Sequence, residues 1–275
     1  MRDLEEGDMR FARCIFIILI ALVSGAKGQG TGYSDWMKRR DALKQDSSVV
    51  RYYTFEDVTD SSSIVKDLSG KGGDLKFFPF VDATTKEKID DLKVIEGRWP
   101  EKKAVSLDRG WYQGTPVEIV DKNFTVEIWM RKNGPGSIIV PPNQKRGYII
   151  SGPAGWGAGW RLKTEYFPTP YLTFDIGIPK NNVRAMSSRM YSDKIWHHVA
   201  ATWDGREMKL YVDGEMVASK EYAGEYFPGK SPFRIGYRSG GSILLDVDEV
   251  VVYNRALSAE EIAKTGKVSA VLSPQ

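Results

Sequence analysis

The chain has 275 residues, 41% hydrophobic and 12% aromatic, so it can bury a substantial core and is too apolar for a disordered segment. Its 39 basic and 36 acidic residues leave a formal charge of +3, a mixed surface that gives no electrostatic reason to invoke nucleic acid. Histidine occurs twice and cysteine once, at Cys14 inside the leader described next, which excludes His/Cys zinc sites and Cys-His nucleophilic catalysis in an exported chain.

Residues 14–23, CIFIILIALV, form an apolar run with Arg10 and Arg13 before it and Ser24, Gly25 and Ala26 after it. This is the pattern of a secretory signal peptide, expected to cover 1–26, and a start at Met9 would remove the acidic stretch Met1–Asp8. Roughly ten apolar residues are too few to cross a bilayer comfortably, so no stable span is expected after cleavage, an uncleaved N-terminal anchor being the alternative. The protein is expected to be secreted or held in the cell envelope, without a disulfide.

Residues 27–48 read as a leader containing a short helix over Ser34–Gln45, with Ser34 or Asp35 as its cap and Trp36, Arg40 and Leu43 along one side. Lys38, Arg39 and Arg40 read as its solvated face, the alternative being contact with an acidic surface. Strand signals begin at Val49 and continue through Tyr53 and Phe55. Further strands are expected at Leu92–Glu96, Ala104–Leu107, Phe124–Met130, Tyr148–Ser151, Gly159–Glu165, Tyr171–Ile176, Val183–Met186, Pro232–Tyr237 and Ile243–Tyr253. Between Lys194 and Gly214 the alternation is plainest, and Asp204-Gly205 and Asp213-Gly214 mark two hairpin turns. Within it His197 and His198 fall on opposite faces, so they cannot form a paired site. Ser258 and Glu261 form a capping box that opens a closing helix.

Several stretches resemble laminin G-like domains of the concanavalin A-like lectin/glucanase superfamily. They are Asp67-Leu68-Ser69-Gly70-Lys71-Gly72, Phe124–Trp129, Trp196–Gly205 with Leu210–Gly214, and Asp248–Val250 with Tyr253–Ile262. The resemblance covers about Val49 to Lys264 and implies an all-β, two-sheet antiparallel jelly-roll sandwich over 49–266, with a short helix at each end and a tail at 267–275. It also implies a binding module, often calcium-bearing.

By that analogy Asp248 is the leading calcium ligand, with Glu56, Asp67 and the carbonyl of Gly73 beside it, and a structural calcium ion is expected, the alternative being that Asp248 caps a hydrogen-bond network without metal. Independently, the three glycines at 70, 72 and 73 permit turns in which carbonyls face a cation. Glucanases of the superfamily carry a Glu-x-Asp-x-x-Glu strand, which is absent here, so no enzyme is expected; glycoside hydrolysis is the third reading. The expected function is noncatalytic binding of a carbohydrate or glycoconjugate, and the alternative is an extracellular or cell-envelope protein-interaction module. Sugars stack on aromatic rings. Trp156, Trp160, Tyr166, Trp99, Trp111 and Tyr112 are the candidate platforms, because they stand beside loops, the alternative for most of them being core residues under long loops.

Overall fold

The alternating pattern becomes two antiparallel sheets. The computed structural model describes residues 30–59, 63–81, 85, 88–89, 92–107, 110–117, 119, 122–132, 146–152, 157–166, 170–187, 194–238 and 241–267. Helix α1 (Gly30–Leu43) is followed by β1 (Val49–Tyr53), β2 (Ile64–Val65), β3 (Leu75–Val81), β4 (Lys88–Ile89), β5 (Leu92–Glu96), β6 (Lys103–Leu107), β7 (Gly110–Gly114) and β8 (Phe124–Lys132). Then come β9 (Arg146–Ser151), β10 (Trp160–Tyr166), β11 (Pro170–Ile178), β12 (Asn181–Met186), β13 (His197–Trp203), β14 (Glu207–Val212) and β15 (Glu215–Glu221). The chain closes with β16 (Phe233–Ile235), β17 (Tyr237–Arg238), β18 (Gly241–Ser242), β19 (Leu245–Tyr253) and helix α2 (Ala259–Lys267).

The first sheet has the order β15-β14-β13-β8-β19-β6-β5, with β1 also on β19; the second has β12-β11-β10-β9-β16-β7-β3-β2, with β4 on β3. Val126, Ile128 and Met130 of β8 and Val250 and Val252 of β19 join one core cluster with Trp160, Leu162, Phe174 and Phe233 of the second sheet. Each such side chain contributes about 1.5–3 kcal/mol by leaving water. The turn at Asp213-Gly214 has φ of 52° and 82°, the positive pair that a two-residue hairpin requires.

Both helices cover the outer face of the first sheet. Leu43 of α1 and Ile262 of α2 join Val49, Tyr52, Ala200, Tyr211, Val251 and Tyr253 in a second cluster. The capping box forms as read: Glu261 N donates to Ser258 Oγ at 3.2 Å and Ser258 N to Glu261 Oε2 at 2.8 Å. Helix α1 departs from the sequence reading in two ways. It starts at Gly30, which places Ser34 and Asp35 inside it instead of at its cap. Arg39 is not a solvated residue either: it reaches two carboxylates on the sheet, Glu127 at 2.8 Å and Glu249 at 3.3 Å. Two buried acids demand a cation, and a charge run read alone gives no sign of them.

Strands β3 and β7 were not among the expected strands. Pro79 in β3 and glycines at both ends of β7 obscure strands that pair directly, Phe78 opposite Trp111 and Phe77 opposite Tyr112. Those two strands carry much of the face described next.

Candidate functional site

Alternation assigns each residue of the second sheet a side. Leu75, Phe77, Tyr112, Phe233, Ile235, Leu162 and Phe174 point into the core. Their neighbours Lys76, Phe78, Trp111, Gln113 and Arg234 point to the other side with surface in solvent, and Lys163 and Asp175 lie on that side too but are buried. Among the described residues no helix lies on this outward face, whereas the first sheet carries two.

Aromatic rings line up across these strands. Phe78 stacks on Trp111 with centroids 5.9 Å apart and planes at 12°. Trp111 meets Tyr237 edge to face at 5.4 Å, and Tyr237 stacks on Tyr148 at 6.3 Å and 11°. All four rings are half-buried. Tyr237 belongs to this row because Gly236 has φ of 76°, which breaks the alternation after the core residue Ile235.

A polar row runs beside the aromatic one. Lys76 pairs with Gln113, Gln113 with Arg234 and Arg234 with Ser151 in the strand registers. Arg234 Nε donates to Gln113 Oε1 at 2.8 Å, and its guanidinium carbon lies 4.4 Å from the Tyr237 ring centroid. Among the described residues neither Arg234 nor Lys76 forms an ion pair. Further along, Lys163 contacts Glu165 at 2.5 Å and Asp175 at 2.6 Å, and Arg184 holds the same two acids at 2.9 and 2.8 Å. That quartet balances its own charge, and among the described residues Arg234 and Lys76 stand on the face without an ion pair.

The expected calcium ligands are brought together only in part. Asp248 is fully buried; its Oδ2 accepts from Arg98 N at 2.7 Å and its Oδ1 lies 2.8 Å from Lys102 Nζ and 3.1 Å from Arg98 Nε. Glu56 Oε1 lies 4.0 Å from the same ammonium and accepts from Lys103 N at 2.9 Å. Asp67 is a loop staple elsewhere: Oδ1 accepts from Tyr52 N and Ser69 N and Oδ2 from Gly73 N, each at 3.0 Å. The Gly73 carbonyl accepts from the Tyr53 hydroxyl at 2.7 Å. This donor set does not fit a calcium ion, because each of the three carboxylates and the Gly73 carbonyl already faces a protein donor, and Asp67 and Gly73 lie apart from Asp248. Among the described residues no group of three or more His, Cys, Asp or Glu is placed to hold a metal.

Asp248 belongs to a buried network with Glu249, Glu127, Arg39, Arg98 and Lys102, three acids against three cations. Burial would raise the Glu249 carboxyl, but Arg39, Arg98 and Lys102 outweigh it and hold the group at about 2. Glu127 is also lowered: burial opposes this, and His198 and Arg39 prevail. His198 sits beneath α1, its Nε2 3.4 Å from Glu127 and its ring 5.0 Å from that of Trp129. His197 instead meets Asp213 at 2.7 Å, so the two histidines do separate.

A laminin G-type family model described as the concanavalin A-like lectin/glucanases superfamily matches residues 110–263. The chain belongs to this superfamily. Pappalysin-1 from Mus musculus is 30% identical over 118 residues, which is 40% of this chain and 7% of that protein. The binding domain of botulinum neurotoxin DC in complex with SialylT superposes with a TM-score of 0.62 at 14% identity, covering 82% of this chain and 52% of that one. Domain 4 of AbnA, a GH43 extracellular arabinanase from Geobacillus stearothermophilus, in complex with arabinotriose, gives 0.58 at 14% identity, covering 80% of this chain and 98% of that one. This chain thus spans about half of the neurotoxin binding domain and a small part of pappalysin-1.

Within this laminin G-like jelly roll the aromatic candidates have different fates. Trp111 lies on the outward face of the second sheet, half-buried in the ring row. Trp160 and Tyr112 are fully buried in the core, which removes them as platforms. Trp99 is also buried, 6.1 Å from Trp36 and from Tyr33 of α1, so the helix covers the ring expected to meet a ligand. Trp156 and the side chain of Tyr166 lie outside the described residues. Phe78, Tyr148, Tyr237, Arg234 and Gln113 were not among the candidates. Tyr148 was within reach of the sequence, since it precedes the apolar pair Ile149-Ile150, whereas Tyr237 depends on the backbone at Gly236.

Proposed function

We propose that this protein is an exported, noncatalytic carbohydrate-binding module whose ligand lies along the outward face of the second sheet. The observation that carries the reading is the row Phe78, Trp111, Tyr237 and Tyr148 running beside the hydrogen-bonding row of Gln113 and Arg234. A pyranose has apolar faces for ring stacking and equatorial hydroxyls for polar partners, and this pair of parallel rows offers both. Arg234 and Lys76, without an ion pair among the described residues, favour a saccharide that carries carboxylate or sulfate. The glycan-bearing complexes of similar fold agree with this reading. The noncatalytic part is supported by Glu165 and Asp175, the acids of this face, each held by both Lys163 and Arg184. Export is supported by the apolar run at 14–23.

The experiment is a glycan array probed with the purified chain, followed by a reducing-sugar assay on any polysaccharide bound. Binding to saccharides without release of reducing ends supports the proposal. An array without binding, with capture of an extracellular protein on the same face, would favour a protein-interaction module instead.

A further inference from the structure

Strand β19 pairs with β6 through Leu245, Asp246 and Val247 and with β1 through Val250 to Tyr253, so two strands meet end to end along one edge. At the joint the register against β8 shifts between Val247 and Glu249, which leaves Asp248 in a bulge. A joint and a bulge together strand backbone carbonyls in the interior, where an unpartnered oxygen is costly. Lys102 fills the gap. Its ammonium lies 2.9 Å from Thr54 O, 3.0 Å from Asp248 O, 3.3 Å from Lys103 O and 2.8 Å from Asp248 Oδ1.

Three carbonyls and a carboxylate oxygen, with Glu56 Oε1 at 4.0 Å, are the mixture of oxygens that a hard divalent ion takes. The spacing is that of N–H···O hydrogen bonds, about 2.7–3.2 Å, and not of calcium–oxygen bonds, about 2.3–2.6 Å. An ammonium has three protons, and the three shortest contacts can use them all. Trp36 of α1 closes the cage, its ring centroid 4.6 Å from Nζ.

We infer that the Lys102 ammonium is the resident cation of this oxygen cage, standing where a divalent ion was expected, and that shortening the side chain opens the cage to a hard divalent cation. The tight hairpin between β5 and β6 aims the lysine: Gly97 N donates to Lys102 O at 2.7 Å and Lys102 N to Trp99 O at 3.0 Å. Metal is then dispensable in the native chain because a tethered charge holds the junction, and the network's three acids already have three cations.

The test is thermal unfolding of the full chain in EDTA and in millimolar calcium chloride. The native protein is expected to melt at the same temperature in both. Lys102→Ala is expected to melt lower in EDTA and to recover several degrees with calcium in a saturable way, with terbium luminescence sensitised through Trp36. Lys102→Met, which fills the space without charge, is expected to melt low and to ignore calcium. If Lys102→Ala does not fold in EDTA, refolding in calcium supplies the same readout. A calcium-dependent rise in the native protein that Asp248→Asn abolishes would overturn the inference, as would a folded Lys102→Ala indifferent to calcium and terbium.

Discussion

Trp111 and Tyr237, 126 positions apart in the sequence, meet edge to face with centroids 5.4 Å apart and planes at 76°. The contact joins β7 to the residues that follow β16 and makes two separate rings into one surface. Trp160, by contrast, is fully buried between the sheets. Replacing each by alanine should therefore have opposite signatures. Trp111→Ala is expected to lower saccharide affinity about tenfold while the melting temperature changes little. Trp160→Ala is expected to cost about 3–5 kcal/mol of stability through the cavity it leaves. Calorimetric titration alongside denaturant unfolding separates the two.

Arg234 stacks on Tyr237 and hydrogen-bonds Gln113, with no carboxylate partner among the described residues. If it meets an acidic substituent, Arg234→Gln should weaken binding of an acidic saccharide about tenfold and leave its neutral counterpart within about twofold. Binding of the acidic ligand should also weaken with added salt, the neutral one remaining unaffected. Equal losses for both ligands would assign Arg234 to holding Tyr237 in place.

The buried network makes acid stability another observable. Glu249 is held at about 2 against an ordinary value of 4.5, and Glu127 is also lowered. Groups whose folded values are depressed stabilise the fold above their unfolded values, and that contribution is lost as the pH falls through the folded ones. Stability should therefore decline between about pH 5 and pH 2, with Glu249 alone accounting for on the order of 3 kcal/mol. Urea unfolding across that range checks the expectation; a flat profile would mean that the network is not ionised as described.

Trp36 is 1% exposed, donates from Nε1 to Glu249 Oε1 at 3.1 Å and stacks on Tyr33 at 5.4 Å. Trp36→Ala should cost about 3–5 kcal/mol, because it leaves a cavity and an acid short of a donor. Saccharide binding by the folded variant should be unchanged, since α1 lies on the first sheet and the ring row on the second. Denaturant unfolding and a binding titration on the same sample check both halves.

The fold was legible wherever hydrophobic alternation was clean. Phe124–Met130, Lys194–Gly214 and the Ser258–Glu261 box all adopt the structure their residue order suggests. The site was less legible for two reasons. Strands β3 and β7 contain proline or end in glycine, so Phe78 was not singled out and Trp111 read as a loop aromatic, indistinguishable by composition from the core residues Trp160 and Tyr112. The cation at Asp248 was hidden because Lys102 and Asp248 are 146 residues apart and meet only when β1, β6 and β19 converge. Neither signal is local, so neither could be read from spacing.

The most direct measurement of the central claim is a titration of the native chain and of Trp111→Ala, Tyr148→Ala and Tyr237→Ala with the saccharide that binds best on the array. The account predicts that each substitution weakens binding while the fold persists, and that together they abolish it. Undiminished binding by the folded triple variant would contradict the assignment of the second sheet's outward face as the binding surface.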